Sequence, residues 1–242
     1  MASVRASTRV SIAWSGEAAF EDTDTLVLTV EGWSLDLRVF NSGPAKGTID
    51  WSTVARVTTL PESTPGESTD RVLDCTAGEG TSHAWDVSDG TENPQLRWDH
   101  LIDSRPPQPS HVPILPDQGR FVSLANGDVE ELGTMYNPKT EINEPYVETW
   151  RRLPGEDGQP YCVLQREGRD DFMGRVGRLA LGLSYDGRIF RAWRDELVDG
   201  AWSRVFEQNA QGRLPVVLPE WKAGEVVEVD GQKWIVHVCT PT

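Results

Sequence analysis

Paired turn residues recur along this chain and limit what it can fold into. An Asp-Gly or Asn-Gly dipeptide between extended runs favours a type I′ hairpin turn, because both central residues of that turn need a positive φ. Such dipeptides stand at positions 126–127, 186–187, 199–200 and 230–231, with a weaker example at 89–90. Only residues 170–176 approach the spacing of a helix, and Gly174 interrupts them. We therefore expect antiparallel sheets joined by tight turns.

The runs between these turns alternate apolar and polar residues. The clearest run is 33–40, in which Trp33, Leu35, Leu37 and Val39 are separated by polar side chains. Because neighbouring side chains of a strand point to opposite faces, this pattern predicts a half-buried strand.

One segment predicts a domain boundary. Residues 154–160 contain two prolines, two glycines and two acidic residues, and no apolar side chain to bury. Such composition is typical of linkers. A chain of 242 residues can form one large β domain or two small ones. We predict a first domain over 1–153, a linker over 154–159 and a second domain over 160–242.

The net charge of −15 argues against two classes of partner. An acidic surface repels phosphate backbones and anionic lipid headgroups, so we expect neither nucleic acid nor membrane as partner. No apolar run approaches the roughly 20 residues of a membrane span. The start of the sequence lacks the apolar stretch of a signal peptide. Cytoplasmic localisation is the resulting expectation.

The cysteines and the missing motifs predict that no metal or cofactor takes part. Cys75, Cys162 and Cys239 are far apart and match no metal-ligand spacing, so free thiols in a reducing compartment are expected. Nucleotide-binding loops, the catalytic-serine motif and the zinc-protease motif are all missing from the sequence. Any catalysis would therefore use a shaped pocket with a few hydrogen-bond donors.

The hairpin around 186–187 offers one candidate pocket. A two-residue loop there would set Gly182 opposite Arg191 and Ala180 opposite Trp193. Small residues on the concave side of a barrel leave room, so Arg191 and Trp193 could point into a cavity. In the alternative, Trp193 fills the space over Gly182 and Arg191 lies in solvent.

Two further groups are candidates. Trp98, His100 and Ile102 would share one face of an extended strand, and His100 titrates near neutrality and could act as acid or base. The alternative is a hydrogen-bonded or an exposed histidine.

Tyr146, Glu148 and Trp150 also share one face. A glutamate between two aromatic residues is either a buried acid of raised pKa or an exposed side chain on a polar face. The pattern leaves both open.

Several segments resemble the fungal Hri family, which is named for its interaction with a casein-kinase-type protein kinase. They are residues 33–40 with 49–51, residues 98–104, and residues 133–138 running on to 146–151. The resemblance spans nearly the whole chain and is less specific after Tyr161. It implies an all-β fold of two tandem antiparallel lipocalin-like (calycin) barrels, and it supplies no catalytic residues. Residues 50–56 depart from the family pattern, which suggests a divergent member with a new task.

The first functional hypothesis is a cofactor-free cyclase of fungal natural-product biosynthesis. By analogy with other lipocalin-like barrels, such an enzyme would bind an apolar polyene or quinone methide and catalyse a Diels–Alder or hetero-Diels–Alder cycloaddition. Holding the substrate in one folded shape removes entropy from the barrier. Arg191 or His100 would donate to a carbonyl oxygen. The pocket wall would consist of Trp98, Tyr146, Trp150, Gly182, Trp193 and Trp202.

Two alternatives involve no chemistry. The chain could carry an apolar small molecule, and only turnover would separate such a carrier from the enzyme. It could instead be an adaptor that interacts with a protein kinase, because an acidic surface suits a basic partner.

Overall fold

Every regular element that the structure describes is a β-strand. The computed structural model describes residues 4–60, 94–155, 158–210 and 212–242. The strands of the first half are β1 (Val4–Trp14), β2 (Thr23–Val30), β3 (Trp33–Phe40), β4 (Ile49–Leu60), β5 (Gln95–Asp103), β6 (Asp117–Ser123), β7 (Val129–Asn137) and β8 (Ile142–Arg152). Those of the second half are β9 (Tyr161–Arg166), β10 (Asp171–Val176), β11 (Leu179–Tyr185), β12 (Phe190–Val198), β13 (Ala201–Gln208), β14 (Val226–Val229) and β15 (Gln232–Thr240). The all-β prediction is confirmed.

The first half closes on itself. Strands β1 to β8 form an antiparallel barrel in which each strand pairs with the next and β8 pairs with β1. Strand β8 ends at Arg152 and β9 begins at Tyr161, on either side of the predicted linker. Within the described residues no helix is long and apolar enough to cross a membrane.

The second half is a seven-stranded sheet in the order β13-β12-β11-β10-β9-β15-β14. Strands β13 and β14 are its edges, so a second closed barrel is not confirmed. Residues 212–221 lie beside both edges, and Leu214 and Leu218 are buried in the same core as Trp202 of β13. Pro215 and Pro219 interrupt this segment. Proline has no N–H group to donate to a strand ladder. This is a physical reason why the segment lies between β13 and β14 without forming a further strand.

Several local predictions can be compared with the strands. Two-residue turns occur at 199–200 and 230–231, where all four residues have positive φ as the type I′ turn requires. Residues 171–176 form β10 rather than a helix, because β9 and β11 hydrogen-bond to both of its edges. The dipeptide at 89–90 and Cys75 lie outside the described residues. Cys162 and Cys239 are free thiols.

The hairpin between β11 and β12 differs from the prediction. Its loop has four residues, because Tyr185 pairs with Phe190. The carboxylate of Asp186 accepts hydrogen bonds from the backbone N–H groups of Arg188 and Ile189, which closes this wider turn. The register therefore shifts by two residues, and Gly182 pairs with Trp193 instead of Arg191. The same side chains still share a face, because the shift is even.

Strand β3 is buried on both faces rather than one. Leu35 and Leu37 point out of the barrel and pack against the second sheet. Asp36 and Arg38 point into the barrel lumen, where both are buried. The prediction of a half-buried strand was wrong because the polar face, expected in solvent, lines the interior of the barrel.

A shared apolar core joins the two halves. The outer wall of the barrel and one face of the second sheet contribute side chains that are at most 1% exposed: Leu26, Leu28, Leu35, Leu37, Phe172, Leu181 and Leu183. Polar contacts surround this core. Tyr161 donates to the Glu31 carboxylate at 2.7 Å, and Arg194 pairs with Asp24 at 2.9 Å. The barrel and the sheet therefore share one apolar core with polar contacts at its edge.

This core predicts the effect of Leu35→Ala. Leu35 is fully buried and lies against Gly174 of the second sheet, so its truncation removes contacts on both sides. We expect a loss of about 3 kcal/mol in the free energy of unfolding, measured by urea denaturation.

Ile189→Ala is the control, because Ile189 is an exposed apolar side chain of the second half. It should change the free energy of unfolding by less than about 0.5 kcal/mol. In Leu35→Ala, fluorescence and circular dichroism should still report one transition. Two separate transitions in the wild type would show that the halves unfold independently and that the shared core does not couple them.

Candidate functional site

The candidate residues fall into two cavities. Trp98, His100, Tyr146 and Trp150 line the lumen of the barrel. Gly182, Arg191 and Trp193 line an open cleft on the second sheet. Trp202 lies in neither, and packs in the core beside residues 212–221. Arg191 and His100, the two candidate donors, thus line different cavities.

The lumen contains a buried ion cluster around Glu148. One oxygen of Glu148 accepts hydrogen bonds from Arg9 at 2.6 Å and from Arg38 at 2.7 Å. Burial raises the pKa of Glu148, but the two guanidinium groups outweigh it and hold the pKa below its usual value. Glu148 is therefore buried, as one alternative proposed, but the raised pKa of that alternative is wrong, because the two arginines keep the carboxylate ionised.

Glu131 is the acid whose pKa is raised, and the sequence analysis did not single it out. Tyr146 donates to one of its oxygens at 2.7 Å and Trp150 to the other at 2.9 Å. Burial and the nearby charge of Glu148 raise the pKa of Glu131 to about 8. At neutral pH this carboxyl is mostly protonated. It lies directly opposite Glu148 in the β7–β8 ladder, a pairing that only the folded structure reveals.

Two glycines make room for this arrangement. A Cβ at Gly119 would lie 2.7 Å from Cγ of Glu131, and a Cβ at Gly133 would lie 2.6 Å from the Tyr146 hydroxyl. Both distances are shorter than van der Waals contact. The absent side chains therefore let Glu131 and Tyr146 lie against the barrel wall.

His100 lies at the more exposed end of the lumen, between two carboxylates. Its Nδ1 is 3.1 Å from Asp103 and its Nε2 is 2.9 Å from Asp117. Burial lowers the pKa of His100, but hydrogen bonds to the two carboxylates outweigh it and raise the pKa to about 9. At neutral pH the ring is a cation that donates from both nitrogens, which is the hydrogen-bonded alternative rather than a free base.

The cleft on the second sheet is larger, about 980 Å³. Trp193 lies over Gly182, since a Cβ at that position would overlap the indole ring. Arg191 is a third exposed and pairs with Asp186 at 2.7 Å. Both alternatives for this hairpin hold in part, because Trp193 covers Gly182 and also lines the cleft. Among the described residues, no group of three or more acidic, histidine or cysteine side chains is placed to hold a metal ion.

The pKa of Glu131 predicts a pH-dependent stability. This carboxyl ionises near 4.5 in the unfolded chain and near 8 in the folded protein, so the folded state holds the extra proton between these values. The free energy of unfolding should therefore fall as pH rises through this window, by at most ~1.4 kcal/mol per pH unit. In Glu131→Gln this component should be lost, as measured by urea denaturation between pH 5 and 9.

The matched control is Glu130→Gln on the opposite face of β7. It should keep the wild-type pH profile, since Glu130 does not line the lumen. A Glu131→Gln profile as steep as that of the wild type would contradict the assignment.

Comparison with known proteins agrees with this architecture. The crystal structure of an uncharacterized protein from Saccharomyces cerevisiae is similar, with a TM-score of 0.71 at 15% sequence identity, over 98% of this chain and 99% of that chain. At this identity the likeness shows the fold alone. A search of the curated proteins gave no match. The family model described as Protein HRI1 matches residues 5–237, and the chain therefore belongs to the HRI1 family.

Proposed function

We propose that this protein binds an organic small molecule in the cleft of the second sheet, and that the molecule combines a flat apolar body with an anionic or carbonyl oxygen. One observation carries this proposal. A cleft of about 980 Å³ brings aromatic side chains and three arginines to the same surface. Sites for organic ligands usually have a few hundred to about 1,000 Å³ and combine an apolar lining with a few polar groups.

The apolar part of the cleft is rigid. Its lining includes the side chains of Met173, Trp193 and Trp234, which pack in one core on that face of the sheet. The indole ring of Trp193 lies directly against the backbone of β11 at Gly182. It can do so only because Gly182 has no side chain. Flat aromatic faces held in this way suit a planar or polyene body at little entropic cost.

In the polar part of the cleft, a ligand can replace the present ion-pair partners of the arginines. Arg166 pairs with Asp171 at 3.2 Å and Arg191 pairs with Asp186 at 2.7 Å, and all four side chains are partly exposed. Exposed ion pairs contribute little to stability, so a ligand oxygen can replace a carboxylate partner. Asp171, Asp186, Glu207 and Asp230 also line the cleft, and their repulsion requires an anionic end of the ligand to lie beside the arginines.

The cycloaddition expected from the sequence would take place in this cleft. Arg191 would donate to a carbonyl oxygen and polarise it, while Trp193 would hold the apolar chain in one folded shape. His100 has no part in this step, because it lines the lumen. A closed second barrel, a fungal source and cytoplasmic localisation belong to the same proposal, and an adaptor that interacts with a protein kinase is the alternative function.

The binding proposal is tested with two dyes of the same ring system. Anilinonaphthalene sulfonate carries an anionic group, and N-phenylnaphthylamine does not. We expect both to bind, with the sulfonate tighter. Arg191→Gln should weaken sulfonate binding about fivefold and leave the uncharged dye unchanged, because a charge-assisted hydrogen bond is lost. Ser184→Trp, which fills the cleft, should abolish binding of both dyes, as measured by fluorescence titration.

Arg188→Gln is the matched control, since Arg188 lies in the loop next to Arg191 but does not line the cleft. It should bind both dyes as the wild type does. Unchanged binding of both dyes in Ser184→Trp would locate the site elsewhere and refute the proposal. No binding of either dye to the wild type would favour the adaptor, and pull-down of a protein kinase would be the next experiment.

A further inference from the structure

We propose that the lumen of the barrel is a second binding site, for a compact uncharged molecule that offers both a hydrogen-bond donor and an acceptor, as a primary carboxamide does. This site is separate from the cleft and does not depend on the function proposed for it. It is built from the inward-facing side chains of β1 to β8.

Two buried oxygen atoms in the lumen lack hydrogen-bond partners among the described residues. They are Oγ of Ser7, a residue that is 3% exposed, and Oδ1 of Asp36, a residue that is 7% exposed. The other oxygen of Asp36 accepts from Arg38 at 2.9 Å. Buried polar atoms are rarely left without a hydrogen bond in folded proteins. Both atoms line the same cavity, so one bound molecule can satisfy both.

The strand register fixes how these atoms are arranged. Ser7 pairs with Val27, and Val27 pairs with Asp36, so the two polar residues lie on one row of the wall with a valine between them. Their Cα atoms are therefore about 10 Å apart along the sheet, and inward side chains of a closed barrel converge from there. The Asp36 oxygen needs a donor, whereas the Ser7 hydroxyl can donate to an acceptor. A ligand that places an N–H group beside Asp36 and a carbonyl oxygen beside Ser7 fits both requirements.

The size and the charge of the lumen limit the occupant. The cavity has about 60 Å³, which is more than one water occupies and too little for a drug-sized molecule. Its lining carries Arg5, Arg38 and His100 against Asp36, Asp117 and Glu148. Glu131 is mostly uncharged at neutral pH. Because the fixed charges balance, a net charge on the ligand would find no buried counterion, which favours an uncharged molecule.

A ligand would enter the lumen beside His100. The side chains of His100 and Asp117 are 22% and 26% exposed, whereas the rest of the ion cluster is nearly covered. Trp51, Trp98 and Trp150 line the same cavity. Their indole N–H resonances therefore report occupation of the lumen directly.

The test uses acetamide and acetate, which have the same shape and differ in charge. In NMR titrations of the isotope-labelled protein, acetamide should shift the Trp150 indole N–H signal in a saturable way, and acetate should not at equal concentration. Ser7→Ala should weaken acetamide binding about tenfold. Ser7→Val, which fills the space and replaces the hydroxyl by methyl groups, should abolish the shift while the spectrum stays dispersed.

Ser11→Ala is the control on the same strand, since Ser11 does not line the lumen. It should bind acetamide like the wild type. Equal shifts with acetate, or an undiminished shift in Ser7→Val, would overturn the proposal. So would a crystal structure grown with acetamide in which only water contacts Ser7 and Asp36. Ser7→Val should bind anilinonaphthalene sulfonate normally, so failure of this site and failure of the cleft are distinguishable.

Discussion

Burial of the leucine-rich outer wall of the barrel against the second sheet is the interaction on which the rest of this structure depends. Strands β2 and β3 place Leu26, Leu28, Leu35 and Leu37 in that interface. Because side chains alternate along a strand, an apolar outer face leaves the inner face of the same strands to the polar residues. The barrel thus reverses the usual arrangement in which the apolar face of a β-strand points inward.

A polar interior has to satisfy its own charges. Arg9 and Arg38 share one oxygen of Glu148, and Arg38 also holds Asp36. Isolated buried ions are costly, and pairing with several hydrogen bonds reduces this cost. Glu131 has no arginine partner within hydrogen-bond distance among the described contacts, and keeps its proton instead. The lumen therefore holds paired charges beside its aromatic side chains, while its net charge stays close to zero.

The sequence predicted local structure well where the chemistry of single residues decides it. The Asp-Gly turns at 199–200 and 230–231 require positive φ, which few other residue pairs allow, and the structure has them. The loop at 186–189 was predicted too short, because the side chain of Asp186 organises a wider turn that the dipeptide alone does not reveal. The alternation in β3 was recognised, yet the burial of its polar face depends on the closure of the barrel, which the local pattern does not reveal. The cavities depend on such long-range pairing: Glu131 lies opposite Glu148 only after two strands align, so neither residue's neighbours in the sequence predict its pKa.

The leucine wall has one more consequence, for any attempt to study the barrel by itself. A fragment that ends near residue 153 would contain all eight strands of the closed barrel, and its backbone ladder would be complete. It would nevertheless present a continuous band of leucines to water, bordered by Val30 and Val54. Apolar bands of this kind promote self-association. The hydrogen-bond ladder of the barrel is complete without the second sheet, but its outer apolar surface is not covered. The second sheet therefore protects the barrel from self-association by keeping this surface permanently buried.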